Sequence, residues 1–191
     1  MLKTIFIVLV LAPGPFGYRS FSALESPIQA MSETFKAGGF FLSTQERYIA
    51  RGNARFLAPL SQRVSTFQRV KAWKQRQLKL KNKAIYIFLP PSVEADGTRW
   101  MWGMATQCRP KDGVAVGVAL NENVRGDPRV YQSIITAAHE IAHILGVDYN
   151  LSNISIMNPD AIAVLTKNTL RFEQKEFDEM HDCLKAWRLG G

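Results

Sequence analysis

HEIAHILGVDYN, residues 139–150, combines two histidines, a glutamate and a glycine at spacings that predict a buried helix with a metal site. His139 and His143 are four positions apart, so on a helix both rings lie on one face and can direct a nitrogen at one ion. The neighbouring residues are apolar on nearly every side, which predicts burial. Buried histidine and glutamate need partners, and a metal ion would be one. The plainer alternative is a buried helix face with polar residues and no ion, because so short a pattern also occurs by chance.

Hydrolysis is the chemistry that such a site would support. Zn²⁺ held by neutral imidazoles is a Lewis acid and lowers the pKa of its water to about 7. Glu140, next to the first ligand, is placed to take a proton from that water and later to deliver it to a leaving amine. Gly146 suits the left-handed turn that ends a helix. We therefore expect Zn²⁺ as the cofactor, His139 and His143 as ligands, and Glu140 as the catalytic base.

The rest of the chain predicts one domain of mixed elements. Its 191 residues, 47% of them hydrophobic, suit a single core. The helix of the metal site is expected to begin with Asp127 as cap and Pro128 as first residue, and to end near Leu145. Other apolar runs predict strands at 84–89, 99–106 and 114–120 and helices at 26–36 and 169–189. This order indicates an α+β fold with a mixed sheet, or a mixed three-layer α/β fold.

The motif resembles that of the metzincin zinc peptidases, HExxHxxGxxH followed by a turn that contains a methionine. Here it stands as His139, Glu140, His143, Gly146 and then Tyr149, and SIMNP places Met157 at the position of that methionine. The distance to the methionine is similar to that in matrixins. By contrast, GMATQCRPKDGVAVGV (103–118) and LRFEQKEFDEM (170–180) resemble the reprolysin (adamalysin) branch. The resemblance covers about residues 98–184.

This resemblance implies a metalloendopeptidase fold with a cleft between an upper sheet and a lower helical part. A protein or peptide substrate would lie antiparallel to an edge strand, where Gly103, Met104 and Ala105 would form backbone hydrogen bonds to it. Met157 would be a hydrophobic base beneath the metal. Core filling is the other role open to Met157, and it is the commonest role of methionine.

Tyr149 is the departure from the family pattern, because the third ligand there is a histidine or, in one small branch, an aspartate. Tyr149 could ligate as a phenolate, since zinc would lower the pKa of a phenol from about 10. Asp148 could ligate instead, although neighbouring side chains in an extended loop point apart. A third alternative is a degenerate site, in which two histidines hold metal weakly or not at all. We rank Tyr149 ligation first, and we expect His181 to be a surface histidine on the last helix.

The N-terminus predicts an export signal. Lys3 precedes the apolar run Ile5–Ala12, prolines follow, and cleavage is expected near Ser22. We therefore assign 1–22 to a signal peptide and 23–191 to the catalytic domain, secreted or periplasmic. The run is too short to span a bilayer, although an uncleaved anchor is the alternative, and no other segment predicts a membrane span.

Two cysteines suit that compartment, because exported chains can keep a disulfide. Cys108 and Cys183 have only each other as partners, and a bond between them would contribute ~4 kcal/mol in the chain-entropy account. Two buried free thiols are the alternative.

Residues 45–83 are rich in Lys and Arg, with Glu46 as their single acid, within a net charge of +8. Apolar residues recur at three or four residue steps between Leu57 and Trp73, so we expect an amphipathic helix with a basic outer face. We expect no nucleic-acid partner, and a chain that works as a monomer. Two rival functions stay open: an inactive relative that binds a protein partner in its cleft, and a basic module that docks onto polyanions with a steep salt dependence.

Overall fold

The computed structural model describes residues 2–11, 22, 25–48, 84–89, 94–95, 99–100, 103–108, 115–119, 132–159 and 171–187. The amphipathic helix predicted between Leu57 and Trp73 lies outside these residues, and so does the predicted helix start at Asp127 and Pro128. Within the described ranges, no helix has the length and apolar character needed to cross a membrane.

The described elements form a five-stranded sheet, a two-stranded sheet and three helices. In chain order they are β1 (Lys3–Leu11), α1 (Glu25–Lys36), β2 (Phe40–Tyr48), β3 (Ala84–Leu89), β4 (Glu94–Ala95), β5 (Arg99–Trp100), β6 (Gly103–Ala105), β7 (Val116–Ala119), α2 (Gln132–Ile144) and α3 (Gln174–Trp187). The larger sheet has the order β2-β1-β3-β7-β6. Its first four strands run parallel and β6 pairs antiparallel with β7. This mixed sheet with helices confirms the predicted fold class.

β1 lies inside the sheet and pairs with β2 on one side and with β3 on the other. Its residues Ile7, Leu9 and Leu11 are completely buried. A parallel strand covered on both faces has a nearly continuous apolar sequence, which is also the composition of a signal peptide. This placement is at odds with a domain that begins at residue 23, because cleavage near Ser22 would remove β1 from the sheet. Cleavage itself stays a prediction.

The strand predictions are partly corrected. Residues 40–48 were not predicted as a strand, yet they form β2, in which Phe40 and Leu42 are buried and Phe41 is exposed. The predicted strand 99–106 is two separate pieces, since β5 pairs with β4 and only β6 joins the larger sheet. The predictions at 84–89 and 114–120 are confirmed by β3 and β7, and α1 confirms the helix predicted at 26–36.

Gly117 lets α2 approach the sheet. A Cβ atom at this position of β7 would lie 2.6 Å from Ile87 Cδ1 and 3.2 Å from Glu140 Cβ. The missing side chain therefore allows close contact between α2 and β7. Gly117 sets how near Glu140 stands to the sheet, and nothing in the sequence pattern indicated this role.

Gly146 ends α2 with a left-handed backbone conformation, at φ +91°. Gly146 N donates to His143 O and Val147 N donates to Ala142 O, both at 3.0 Å. These two bonds form a Schellman motif, which satisfies the last carbonyl groups of a helix. The motif turns the chain directly into the loop that carries Tyr149.

The predicted disulfide between Cys108 and Cys183 is present, with the two Cα atoms 6.0 Å apart and the two residues 75 positions apart in sequence. It packs on the end of α2, because a Cβ atom at Gly146 would lie 3.1 Å from Cys183 Cβ and 3.3 Å from Cys108 Cβ. The bond therefore ties the segment after β6 to α3 beside the loop that follows α2.

α3 begins later than predicted, at Gln174 rather than near Thr169, because Arg171 pairs with Ser155 in an isolated bridge. Its predicted apolar stripe is buried at Phe177, Met180 and Leu184. These residues belong to the same hydrophobic core cluster as the buried residues of α2.

Candidate metal centre and cleft

The two histidine rings of α2 are oriented by backbone carbonyl groups. His139 Nδ1 lies 2.8 Å from Ile156 O, and His143 Nδ1 lies 2.7 Å from Val147 O. A carbonyl oxygen only accepts, so each Nδ1 carries the proton and donates it. In a neutral ring this leaves the lone pair on Nε2. Both rings are therefore in the tautomer that binds a metal through Nε2.

Burial keeps both rings in the neutral form that metals bind. It lowers the pKa of His139 to about 4, opposed by the hydrogen bond to Ile156 and assisted by the nearby His143. Burial also lowers the pKa of His143. The Nε2 atom of His143 is buried and has no hydrogen-bond partner within the described ranges. A buried lone pair without a partner fits a metal ligand, so His143 suits an ion, and His139 has its Nε2 lone pair available in the same tautomer.

Glu140 lies between the two histidines in sequence and is only 4% exposed. Burial raises the pKa of its carboxyl group well above the usual range. The residue lines a cleft together with His143 and Tyr149. Burial disfavours the ionised carboxylate that a general base requires, and a cation held by the neighbouring histidines would favour it.

Tyr149 is in contact with both histidine rings. Its ring centroid lies 4.7 Å from that of His143 and 5.6 Å from that of His139. The side chain is nevertheless 61% exposed. Desolvation raises the pKa of Tyr149, and Glu140 adds to this effect when its carboxyl group is ionised. The side chain is thus a neutral phenol in the metal-free chain, and a phenolate ligand would require the ion to lower its pKa.

Asp148, the other residue considered for the third position, is exposed. Burial lowers the pKa of His143, and the charge of Asp148 opposes this lowering only in part. In the part of the chain that the structure describes, however, no three His, Cys, Asp or Glu side chains gather closely enough to hold an ion. Of the two candidates, Tyr149 is the one whose ring contacts both histidines.

The cleft beside these residues has a volume of about 580 Å³. It is bounded by β6 on one side and by α2 with its following loop on the other, and its lining includes Gly103, Ala105, Glu140, His143, Asp148 and Tyr149. In the described sheet β6 has β7 as its only neighbour, which makes it an edge strand as expected. The structure therefore brings the predicted substrate strand and the predicted catalytic residues to one cleft.

Met157 lies in a tight turn behind His139 and is completely buried. Its backbone N–H donates to Ser155 Oγ at 2.9 Å, and the intervening Ile156 supplies the carbonyl that holds the His139 ring. The role of Met157 as a base beneath the metal stays a prediction. Sequence reasoning missed Ser155 and Ile156, and the only available signal was their position before the methionine.

Glu176 of α3 is a further residue of this region that was not predicted from the sequence. It is 2% exposed and accepts hydrogen bonds from Asn150 and Ser155 in the loop after α2. In the sequence Glu176 is one of several acids on an amphipathic helix, and such acids usually face solvent. Only the tertiary contact, across more than twenty residues, distinguishes it from the others.

His181 is not part of this centre. It lies on α3 as predicted, but it is partly buried rather than a free surface residue. Its Nε2 donates to Gly38 O at 2.9 Å, and its ring lies 4.4 Å from that of Phe40. It connects α3 to the turn before β2.

No family model matches the sequence, and no curated protein matches it. Solved structures do match the fold. Metalloproteinase-II from Bacteroides fragilis superposes with a TM-score of 0.64 at 14% identity, over 95% of this chain and 53% of that one. Archaemetzincin from Methanopyrus kandleri superposes with a TM-score of 0.62 at 15% identity, over 95% of this chain and 96% of that one. The chain thus shares the fold of these two proteins.

This chain spans about half the length of the Bacteroides protein and nearly the whole length of the archaeal one. Neither of these two is named as a reprolysin or a matrixin. The resemblance to reprolysins, which rested on residues 103–118 and 170–180, stays a prediction. The resemblance to matrixins, which rested on the distance from His139 to Met157, also stays a prediction.

Proposed function

We propose that the chain is a zinc-dependent endopeptidase with His139, His143 and Tyr149 as metal ligands and Glu140 as general base. The observation that carries the proposal is the pair of Nδ1 hydrogen bonds to backbone carbonyls, which leaves both Nε2 atoms available to an ion. The fold shared with metalloproteinases supports the same function.

The residues of the chain would divide the work of hydrolysis. Zinc, when bound, would polarise the peptide carbonyl and make a water acidic, with a pKa of about 7. Glu140 takes a proton from the attacking water as the water oxygen bonds to the carbonyl carbon, and it then delivers this proton to the amine nitrogen as the C–N bond breaks. The carbonyls of Ile156 and Val147 keep the two rings oriented throughout.

The substrate class that fits the cleft is an extended peptide. An exposed strand edge offers backbone N–H and C=O groups that a further strand can pair with. β6 presents such an edge at Gly103–Ala105, and its residues line the same cleft as Glu140. A bound peptide would therefore run antiparallel to β6 and pass the carboxyl group of Glu140.

The experiment that tests this function is cleavage of an unstructured polypeptide by the purified chain, with and without a metal chelator. We expect cleavage at internal peptide bonds, loss of cleavage with the chelator, and recovery when Zn²⁺ is added back. Polypeptide that stays intact at every zinc concentration would refute the proposed function.

Replacing Tyr149 by phenylalanine tests the third ligand. The variant keeps the ring contacts with both histidines and removes only the oxygen. Loss of a residue that only supports a ligand lowers metal affinity by about 10-fold to 100-fold, so loss of a ligand itself should lower zinc affinity by about 100-fold or more. Competition with a chromophoric chelator measures this. Asp148→Asn is the matched control and should leave the affinity unchanged. The opposite result, with zinc affinity lowered in Asp148→Asn and unchanged in Tyr149→Phe, would assign the third ligand to Asp148.

An inactive chain that binds a peptide in the cleft is the second candidate function. The 61% exposed phenol at the third ligand position favours it, because a solvated tyrosine is a poor ligand until its proton leaves. Peptide binding to β6 without cleavage, at full zinc loading, would select this function over the endopeptidase.

A location outside the cytosol also belongs to the proposal. The disulfide between Cys108 and Cys183 supports it, since such bonds persist mainly in oxidising compartments. How the chain is exported depends on whether β1 is retained, because an export signal that is cleaved near Ser22 cannot also remain in the sheet.

A further inference from the structure

We propose that Glu176 is the positioning residue of the metal centre and fixes the His139 ring through the turn at residues 155–157. This inference rests on the proposed function, because it concerns the same pair of histidines. Glu176 lies on α3, bonds to residues of the loop after α2 rather than to the histidines themselves, and acts through that loop.

The carboxylate of Glu176 collects three hydrogen bonds in a buried place. Asn150 Nδ2 donates to its Oε1 at 2.8 Å, Ser155 Oγ donates to the same oxygen, and Glu173 N donates to its Oε2 at 2.7 Å. The last bond is half of a capping box, in which an acid at the third helical position reaches back to the cap residue. Because the side chain is 2% exposed, water cannot readily replace a lost partner.

The bonds of Glu176 converge on the peptide group that holds His139. Ser155 Oγ, which donates to Glu176, accepts from Met157 N at 2.9 Å. Ile156 lies between Ser155 and Met157 in the sequence, and its carbonyl oxygen accepts a hydrogen bond from His139 Nδ1. Glu176 therefore restrains both neighbours of Ile156 through the Ser155 hydroxyl group, while Ile156 N donates to Arg171 O at 3.2 Å. These restraints together set the direction of the Ile156 carbonyl.

A second branch of the same network reaches the residue after Tyr149. Asn150 donates its amide to Glu176 and to Glu173, and its backbone N–H donates to Met157 O at 3.2 Å. The start of the loop and its turn are thus anchored to one point on α3. His143 is not held in this way, since its Nδ1 bonds to Val147 O at the end of its own helix.

The test is Glu176→Gln, which keeps the size of the side chain but replaces one acceptor oxygen by an NH₂ group that cannot accept. Zinc affinity should fall by about 10-fold to 100-fold, as for other outer partners of metal-binding histidines. In the NMR spectrum of the metal-free chain, the His139 Nδ1–H signal should broaden or exchange faster, while that of His143 stays as in the wild type. A purely structural role would shift both signals or neither.

Glu179→Gln is the matched control, because Glu179 lies on the same helix and pairs at the surface with Lys175. It should leave zinc affinity and both signals unchanged. If Glu176→Gln behaves like this control, the inference is overturned. If Glu176→Gln does not fold, Ser155→Ala decides: loss of the His139 signal supports the inference, and a signal like that of the wild type overturns it. A wild-type chain that binds no zinc refutes the proposed function, while the His139 signal still decides the role of Glu176.

Discussion

Replacing Glu140 by glutamine should nearly abolish peptide hydrolysis and leave the fold and the bound zinc intact. Proton transfer by a positioned side chain contributes about 10²-fold to 10⁴-fold to a rate, and an amide cannot accept and deliver that proton. The fold should survive because burial raises the pKa of Glu140 and favours its neutral form, which glutamine matches in shape and charge. The measurement is kcat/KM on an unstructured polypeptide, with zinc content determined on the same sample.

Glu179→Gln provides the control for the loss of one surface carboxylate and should keep full activity. Cleavage by Glu140→Gln at the rate of the wild type would show that another group transfers the proton. Loss of both zinc and activity would instead make Glu140 a structural residue of the helix. Only selective loss of activity agrees with its role as a base.

A chain without residues 1–22 should not fold. The deletion removes β1, whose six buried apolar residues are Ile5, Ile7, Val8, Leu9, Val10 and Leu11. Fully burying a side chain of this kind contributes about 1.5–3 kcal/mol, so their sum matches or exceeds the whole stability of a typical domain, about 5–15 kcal/mol. The strand also supplies the backbone partners of both β2 and β3. Circular dichroism and thermal unfolding of the truncated and full chains measure the effect.

Point variants in β1 give the same test in a milder form. Leu9→Ala should lower the free energy of unfolding by about 2–5 kcal/mol, because Leu9 is completely buried. Phe6→Ala is the control, since Phe6 is 47% exposed and its loss should matter far less. A truncated chain that folds and binds zinc would contradict the place of β1 in the sheet. It would support the hypothesis that residues 1–22 are a signal peptide that is cleaved. Sequencing the N-terminus of the protein from its natural source would distinguish a retained β1 from a cleaved signal independently.

The sequence predicted those parts of the molecule that depend on neighbours along the chain. His139, Glu140 and His143 could be placed on one helix, and Gly146 at its end, because helix periodicity and glycine turns are local properties. The strands β3 and β7 were predictable for the same reason. The site residues therefore come together largely from one continuous stretch and the edge strand before it.

What the sequence could not show depends on contacts between distant segments. β1 has the composition of an export signal and of a doubly buried strand, and only its pairing with β2 and β3 distinguishes the two. β2 carries polar residues, and its last four residues belong to the basic stretch 45–83. Its alternation of buried and exposed residues was therefore not recognised from the sequence. Glu176 and Ser155 bond across 21 positions of the sequence. Gly117 is important because Glu140 packs on it from another element.

The most direct test of the metal centre is the zinc content of the purified chain, compared with that of His143→Ala. We predict about one zinc per wild-type chain, strongly reduced in the variant because a ligand with a free buried Nε2 has been removed. A wild-type chain without zinc after incubation with excess Zn²⁺, or a His143→Ala variant that keeps the full amount, would contradict a metal centre at these histidines.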